Sequence, residues 1–182
     1  MPHFNIYTAD NAPEGSRPAL RALKEAFGFV PNTAGAIAGY PPLLNAFVTA
    51  FKSAHSGSFS EAEVQVILLT NAVTNACAWA VAFHTRLALQ QGIAPADVDA
   101  IRRREAPAGP RIAALSALAR GLIEGRGHVD EARLRSFVDA GFSPAQVLEV
   151  VLVVSASTIA NYVGTLARPP LEDALQPHAW IG

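Results

Sequence analysis

The residues of this chain best suited to chemistry are Cys77 and His84, which stand seven positions apart in the segment NACAWAVAFH. A cysteine acts as a nucleophile or redox group through its thiolate, and a histidine can take up or release a proton near neutral pH. The spacing matches a Cys-x-x-Cys-x-x-x-His site in which Ala80 has replaced the second cysteine. Because the second thiol of such a pair resolves the oxidised form of the first, the site is incomplete for disulfide chemistry.

A helix is predicted to position both residues. Asn75 is a candidate N-cap, and the helix would run to Gln91 with Cys77 in its first turn; the alternative is a single helix continuous with the preceding one. Residues four apart are neighbours on a helix, so Ala80 would lie beside His84. Cys77 shares that face but would lie about 10.5 Å along the axis from His84, which is too far for direct contact.

The helix before this motif also begins with a recognisable signal. Ser60 and Glu63 have the spacing of a capping box, which predicts a helix from Glu61 to about Thr74. Glu63 is therefore interpreted first as a cap. Gln65, on the same helix, can orient a water molecule or a ligand by hydrogen bonding but cannot transfer a proton at neutral pH. Gln65 is thus a candidate positioning group.

The whole chain has a helical pattern. Segments rich in Ala and Leu are punctuated by Gly and Pro, and no stretch alternates apolar and polar residues with a period of two. We predict an all-α fold. The last helix is apolar nearly all round, so we expect it in the core or at a subunit interface. Besides the two helices above, the predicted segments are about 16–28, from 31, 41–57, 95–103, 110–124, 130–140 and 143–167.

Length and charge narrow the class of protein. The chain has 182 residues, of which 51% are hydrophobic, enough for one sizeable core, and we expect a single domain over residues 1–182 with its core motif at 59–92. Fourteen basic and 15 acidic residues give a net charge of −1. A charge balance this close to neutral does not favour binding to nucleic acid or to an anionic membrane.

Cysteine and histidine usage suggests where the protein resides and what it binds. One cysteine excludes an intramolecular disulfide, the start of the chain lacks a signal-peptide pattern, and no uninterrupted apolar run approaches the roughly 18 residues of a membrane span. We therefore expect a cytoplasmic protein. The other histidines are scattered near the termini or in presumed loops, so we expect no metal site and no cofactor; they are His3, His55, His128 and His178.

These features resemble the alkylhydroperoxidase D-like (AhpD-like), carboxymuconolactone decarboxylase family. The core of the resemblance is Glu63 before a long apolar helix, then Thr-Asn-Ala-Cys77 in place of the usual Asn-Gly-Cys, and then His84. Further stretches resemble the longer, peroxidase-related branch, so that the resemblance covers most of the chain. They are Phe29-Val30-Pro31-Asn32, Tyr40-Pro41-Pro42-Leu43-Leu44, Asn161-Tyr162, Pro170-Leu171 and Trp180.

The resemblance implies an all-helical protomer in a symmetric homo-oligomer, for which we expect a hexamer built from dimers or trimers. In the peroxidase members it also implies a redox dithiol with a nearby histidine and a carboxylate proton relay. This chain retains the first cysteine as Cys77 and the histidine as His84. It has Ala80 in place of the more reactive cysteine and Gln65 in place of the relay glutamate, while Glu63 is displaced from the relay position by two residues.

Three hypotheses about function follow. The first, which the whole-chain resemblance favours, is a peroxidase-related, antioxidant-type oxidoreductase in which an external thiol resolves Cys77. The second is a cofactor-free acid–base enzyme for a small organic acid or lactone, with His84 as base and Gln65 holding a polar group. The third is a non-catalytic oligomer that binds a small ligand. In each case Trp79 and Phe83 are candidate pocket walls.

Overall fold

The computed structural model describes residues 4–182, and within that range it contains helices and no strand. The all-α prediction is confirmed. Short 3-10 segments at Glu14–Ser16 and Asp173–His178 flank the main helices. The α-helices are α1 (Arg17–Phe27), α2 (Asn32–Ile37), α3 (Pro41–Ala54), α4 (Glu61–Thr74), α5 (Ala78–Gln90), α6 (Pro95–Arg102), α7 (Pro110–Glu124), α8 (Glu131–Asp139) and α9 (Pro144–Ala167).

Two of these helices begin with the capping boxes that the sequence predicts. At the start of α4, the Ser60 hydroxyl accepts the Glu63 N–H at 3.3 Å, and the Glu63 carboxylate accepts the Ser60 N–H at 2.9 Å. Ser143 and Gln146 repeat the arrangement at the start of α9. Both boxes satisfy backbone donors that a helix N-terminus leaves without a partner.

The junction between α4 and α5 corrects one prediction. The break exists, but Asn75 is the C-cap of α4, and its side-chain amide donates back to the Asn71 carbonyl oxygen at 3.0 Å. Ala76 then takes a left-handed conformation with φ of 51°, and Cys77 becomes the N-cap of α5. Cys77 therefore precedes the first turn instead of lying in it.

The end of α3 also differs from the prediction, and the difference matters for the site. The helix ends at Ala54, three residues before Gly57, and His55 is its C-cap. The His55 N–H donates to the carbonyl oxygens of Phe51 and Lys52, both at 3.2 Å. The His55 side chain is thereby fixed at a helix end instead of lying in an open loop.

Helix α4 lies at the centre of the fold. It packs against α5, α6, α7 and α9, and every residue from 64 to 73 is buried. Helix α9 packs against α2, α3 and α4, yet its other side is open to solvent, with Leu148 72% exposed and Leu166 68% exposed. The sequence predicted the buried part of this helix but not the size of its exposed apolar face.

By length and composition alone, α9 could also cross a membrane. It has 24 residues, and an 18-residue window reaches a mean hydropathy of 1.7. As expected, no uninterrupted apolar run of this length occurs, because polar residues such as Glu149, Ser155 and Asn161 interrupt it, yet the helix remains apolar overall. One third of that window is buried against the rest of the protein.

Candidate functional site

His84 is held by a hydrogen bond from the neighbouring helix. Its ring on α5 is only 5% exposed, and its Nδ1 lies 3.0 Å from Oε1 of Gln65 on α4. An amide oxygen can only accept a hydrogen bond, so this contact assigns the ring proton to Nδ1. The lone pair of Nε2 is then free to accept a proton from something else.

A small cavity adjoins His84. Its volume is about 40 Å³, room for a few water molecules, and helices α1, α2, α3, α5 and α9 all contribute to its wall. The lining is aromatic and aliphatic except for His84 and Ser157. The lining residues are Leu23, Phe27, Pro31, Ala34, Phe47, Phe51, Trp79, Ala80, Phe83, His84, Ser157 and Ala160.

The aromatic walls pack against one another. The Phe83 ring stacks on Trp79 with centroids 5.0 Å apart and meets the edge of Phe27 at 5.2 Å. The Trp79 indole N–H donates to the Glu172 carboxylate at 2.9 Å, which fixes the ring that forms one side of the cavity. Because Trp79, Phe83 and His84 lie on one face of α5, a single helix carries the candidate base and two of its walls.

His84 is neutral in the folded protein at physiological pH. Burial, and to a smaller extent the nearby charge of His55, lower the pKa of His84 to about 3. An isolated imidazolium is therefore disfavoured in this cavity. A proton taken from a bound molecule would leave an anion beside the ring, and that anion would stabilise the imidazolium as an ion pair.

Cys77 occupies a different environment. It is 1% exposed, and burial raises the pKa of its thiol, although N–H donors of Ala80 and Trp79 and the Thr165 side chain oppose the shift. A Cβ atom placed on Gly164 of α9 would lie 2.7 Å from the Cys77 sulfur, so the helix backbone packs directly over the thiol. The position at a helix N-terminus does not outweigh this burial.

The structure thus separates the two residues that the sequence motif joined. Gln65, Trp79, Ala80 and Phe83 lie around His84, whereas Cys77 is absent from the lining of that cavity. The residues beside Cys77, such as Ala78, line a separate surface depression, but the Cys77 side chain faces the interior.

Glu63 also lies outside the His84 cavity and lines a separate small pocket that it shares with Arg111. Its carboxylate accepts from Ser60 and forms an ion pair with Arg111 at 2.8 Å. Burial alone would raise the pKa of Glu63, but the Ser60 N–H and the Arg111 guanidinium outweigh it and hold that pKa below its ordinary value. Glu63 is a helix cap, as its spacing indicated.

One histidine near the site was missed in the sequence. The Nδ1 atom of His55 lies 3.1 and 3.0 Å from the two carboxylate oxygens of Glu61, and its ring packs on Phe51 with centroids 4.5 Å apart. The Nε2 atom is buried and has no hydrogen-bond partner. The available signal was the six-residue spacing to Glu61 across a short turn, but the sequence reading treated that turn as an open loop.

The remaining histidines do not join this site. Within residues 4–182, no group of three or more His, Cys, Asp or Glu side chains is arranged to hold a metal ion. His128 is exposed and His178 lies near the C-terminus, while His3 lies outside the described residues. His84 and His55 are thus the two imidazoles that the fold brings to one region.

Comparisons with known proteins agree with the resemblance seen in the sequence. Residues 41–121 match the carboxymuconolactone decarboxylase family, a segment that contains Gln65, Cys77, Ala80 and His84. The resemblance to this family is thereby confirmed. No curated protein matches the sequence significantly.

Solved structures share the fold over nearly the whole chain. A peroxidase-related protein with an alkylhydroperoxidase AhpD core, from Ralstonia eutropha JMP134, has a TM-score of 0.82 at 17% identity, with 95% of this chain and 93% of that one covered. A peroxidase-related protein from Silicibacter sp. TM1040 has a TM-score of 0.76 at 20% identity, with 92% and 90% covered. At these identities the likeness establishes the fold.

A third similar structure carries a ligand. It is a cysteine-to-alanine variant of the debrominase Bmp8 in complex with 2,3,4-tribromopyrrole. Its TM-score is 0.79 at 15% identity, with 98% of this chain and 95% of that one covered. One fold therefore occurs in proteins described as peroxidase-related and in a debrominase, and activity has to be argued from the site.

Proposed function

We propose that this protein is an acid–base enzyme for a small, largely apolar organic molecule and needs no cofactor. The observation that carries the proposal is the hydrogen bond from His84 Nδ1 to Gln65, which leaves Nε2 as a base beside an apolar cavity. In the reaction, Nε2 takes an acidic proton from the substrate, the substrate becomes an anion, and the proton returns to another atom of the same molecule. Each step conserves protons and needs no oxidant.

The chemistry of the cavity supports a class of substrate. Aromatic walls favour a flat, weakly polar ring, because stacked and edge contacts add to the hydrophobic gain. The cavity of about 40 Å³ has room for a few water molecules, so a ring can enter it once the surrounding side chains move apart. A neutral base in an apolar site favours a molecule that brings its own acidic O–H, N–H or C–H group. The tribromopyrrole bound by the debrominase of similar fold is a molecule of this kind, and it supports the class without assigning that substrate here.

The thiol alternative is less well supported by the geometry. A redox cysteine needs a thiolate that a peroxide can reach, whereas Cys77 is buried, has a raised pKa and lies against Gly164. The position four residues before His84 holds Ala80, which has no sulfur to activate. The order of the first two hypotheses from the sequence is therefore reversed.

Solvent-deuterium exchange into a panel of candidate substrates tests the proposal. Small phenols, halopyrroles and lactones are incubated in D₂O and followed by NMR with wild type, His84→Asn and Cys77→Ser. We expect exchange to survive in Cys77→Ser and to fall by about 100-fold or more in His84→Asn, the range seen for general bases.

The opposite dependence would contradict the proposal. Exchange or peroxide consumption that needs Cys77 but not His84 would establish thiol chemistry instead. Ligand binding with no chemistry in any variant would leave the third hypothesis, a small-ligand binder. Circular dichroism of each variant serves as the control for folding.

We also propose that the exposed stripe of α9 binds a second copy of this chain. Its exposed large residues follow helical spacing along one side, and they are Leu148, Val151, Leu152, Tyr162 and Leu166. Contiguous apolar surface of this kind is typical of subunit interfaces. Light scattering at micromolar concentration should give an oligomer, and Leu148→Lys should shift it toward the monomer; a monomeric wild type would contradict this.

A further inference from the structure

Ser157 of α9 is the second polar side chain on the cavity beside His84. It is 2% exposed, and apart from these two residues the cavity lining is aromatic or aliphatic. A buried hydroxyl costs free energy unless it finds hydrogen-bond partners. The partners that Ser157 has, and the one that it lacks, therefore indicate what the cavity can bind.

The Ser157 hydroxyl is hydrogen-bonded through its oxygen alone. The Asn161 side-chain amide, one turn further along α9, donates to Ser157 Oγ at 3.4 Å. A hydroxyl within a helix can donate its own hydrogen to the carbonyl oxygen four residues earlier, as Thr158 does to Val154 at 2.7 Å. Ser157 makes no such bond, and within residues 4–182 its hydrogen has no acceptor.

Asn161 leaves this hydrogen available to the cavity. Asn161 is fully buried and is not part of the cavity lining, so it contacts Ser157 from within the packed protein. A hydroxyl has one donor and two acceptor lone pairs, and the Asn161 amide occupies one of those lone pairs. The hydroxyl hydrogen then points away from Asn161, and Ser157 is a donor for a molecule bound in the cavity.

His84 and Ser157 offer complementary groups to one small space. His84 Nε2 accepts a hydrogen bond, whereas Ser157 donates one, and both line a cavity of only about 40 Å³. The oxygen of a hydroxyl group can donate and accept at the same time, so it can satisfy both residues. An N–H or C–H acid would pair with His84 but leave the Ser157 hydrogen without a partner, which costs binding free energy.

We propose that Ser157 is a catalytic residue and that the substrate is a phenol or an enol, an inference that rests on the proposed function. The substrate O–H donates to His84 Nε2, and its oxygen accepts the Ser157 hydrogen. When Nε2 takes the O–H proton, the oxygen becomes an anion, and the Ser157 hydrogen bond strengthens and stabilises it. The imidazolium then returns the proton to a carbon atom of the same molecule, which gives the keto tautomer. One proton leaves and one returns, and no oxidant is needed.

Ligand binding tests the Ser157 hydrogen bond without turnover. Fluorobenzene and 4-fluorophenol, which differ by one hydroxyl group, are titrated by ¹⁹F NMR against wild type, Ser157→Ala and Ser155→Ala. We expect Ser157→Ala to weaken 4-fluorophenol binding about tenfold and to leave fluorobenzene binding within about twofold. Ser155 is an exposed serine on the same helix, so Ser155→Ala is the matched control and should change neither affinity.

Two results of this titration would overturn the proposal. Equal weakening of both ligands in Ser157→Ala would give Ser157 a packing role only, and wild type that does not bind 4-fluorophenol would remove the predicted ligand class. If Ser157→Ala fails to fold by circular dichroism, Ser157→Cys replaces it. Its thiol keeps the shape of the side chain but is a weak donor, so the same loss of 4-fluorophenol affinity is expected.

Turnover separates this inference from the proposed function. Deuterium exchange from D₂O into the ring carbons of 4-fluorophenol should fall about 100-fold in Ser157→Ala, the effect of removing one donor to a developing anion, and should be unchanged in Ser155→Ala. Exchange that needs His84 but not Ser157 would overturn the role of Ser157 and leave the proposed function intact. Ser157-dependent binding of 4-fluorophenol with no exchange in wild type would support the Ser157 contact and refute the proposed function.

Discussion

The two ends of the Cys77–His84 segment lie in contrasting environments. His84 faces a cavity with one nitrogen fixed by Gln65 and the other free, whereas Cys77 is enclosed beneath the backbone of α9 at Gly164. The same force, burial, acts on both, lowering the pKa of His84 and raising that of Cys77. In both cases the neutral form is favoured, but a neutral imidazole is a base and a neutral thiol is a poor nucleophile.

This contrast shows that spacing along the chain does not define a catalytic unit. Ala76, in a left-handed conformation, turns the chain between α4 and α5. Cys77 is therefore the N-cap of α5 and does not lie on the inner face of that helix. With Ala80 at the position beside His84, the sulfur of the motif lies outside the cavity. Substitutions at Cys77 and at His84 should therefore have separate, independently measurable effects.

The largest expected effect is a loss of stability when the space beside Cys77 is filled. Gly164→Ala would place a methyl group 2.7 Å from the Cys77 sulfur, and overpacking of this kind costs about 1–3 kcal/mol in unfolding free energy. In a Cys77→Ala background the clash is relieved, so there the change should be neutral or stabilise the helix by up to about 1 kcal/mol. Urea denaturation of the four proteins measures the coupling.

A coupling near zero would contradict the close contact between α9 and the thiol. It would mean that the Cys77 sulfur has room to move, and a mobile thiol would bring thiol chemistry back into consideration. The single Cys77→Ala variant is the control, because it gives the cost of removing the sulfur alone.

The second effect concerns the stability contributed by a neutral His84. The pKa of His84 in the folded protein, about 3, lies below its ordinary value of 6.5, so the unfolded chain binds more protons between those values. The stabilisation that the neutral His84 contributes is fully present above pH 6.5 and is lost as the pH falls toward 3. From pH 7 to pH 5 the loss should be about 2 kcal/mol, and His84→Gln should remove that part of the slope. Equal slopes for both proteins would show that His84 is not buried neutral.

The sequence predicted features that depend on neighbours along the chain and missed those that depend on packing. The capping boxes at Ser60 and Ser143 are local patterns, so both helix starts were predicted correctly. The left-handed Ala76 had no such signal, because glycine is the usual residue in that conformation. Its place in the junction explains why Cys77 was assigned to the wrong helical position.

The candidate site shows the same division. Trp79, Ala80, Phe83 and His84 line one cavity because they lie on one side of α5. The pairing of Gln65 with His84 spans 19 residues and depends on how α4 packs on α5, which periodicity does not specify. His55 was set aside because it was placed in a presumed loop, so its position as the C-cap of α3 beside Glu61 was missed.

The third effect concerns the hydrogen bond between Gln65 and His84. Gln65→Glu would replace the neutral partner of His84 with a carboxylate, which favours the imidazolium. We expect the pKa of His84 to rise by about one unit or more, equivalent to roughly 1.4 kcal/mol. NMR titration of the His84 ring measures this directly. Gln146→Glu in the capping box of α9, at a glutamine that bonds Ser143 and Ser58, is the control and should leave His84 unchanged. A pKa that stays at its wild-type value would show that the Gln65 contact does not govern the protonation of His84.

The smallest expected effect is the absence of any influence of His84 on the reactivity of Cys77. If Cys77 and His84 occupy separate environments, His84→Ala should leave the pH dependence of Cys77 alkylation superimposable on that of wild type. Alkylation of the folded protein should also be slower than that of a free thiol, because burial raises the pKa of Cys77 and limits access. Alkylation in denaturant gives the unperturbed reference rate.

A shift of about one pH unit between the wild-type and His84→Ala curves corresponds to roughly 1.4 kcal/mol of coupling. Such a shift would mean that the thiol and the imidazole act as one unit despite the enclosure of Cys77 under α9, and it would restore the Cys–His interpretation of the motif.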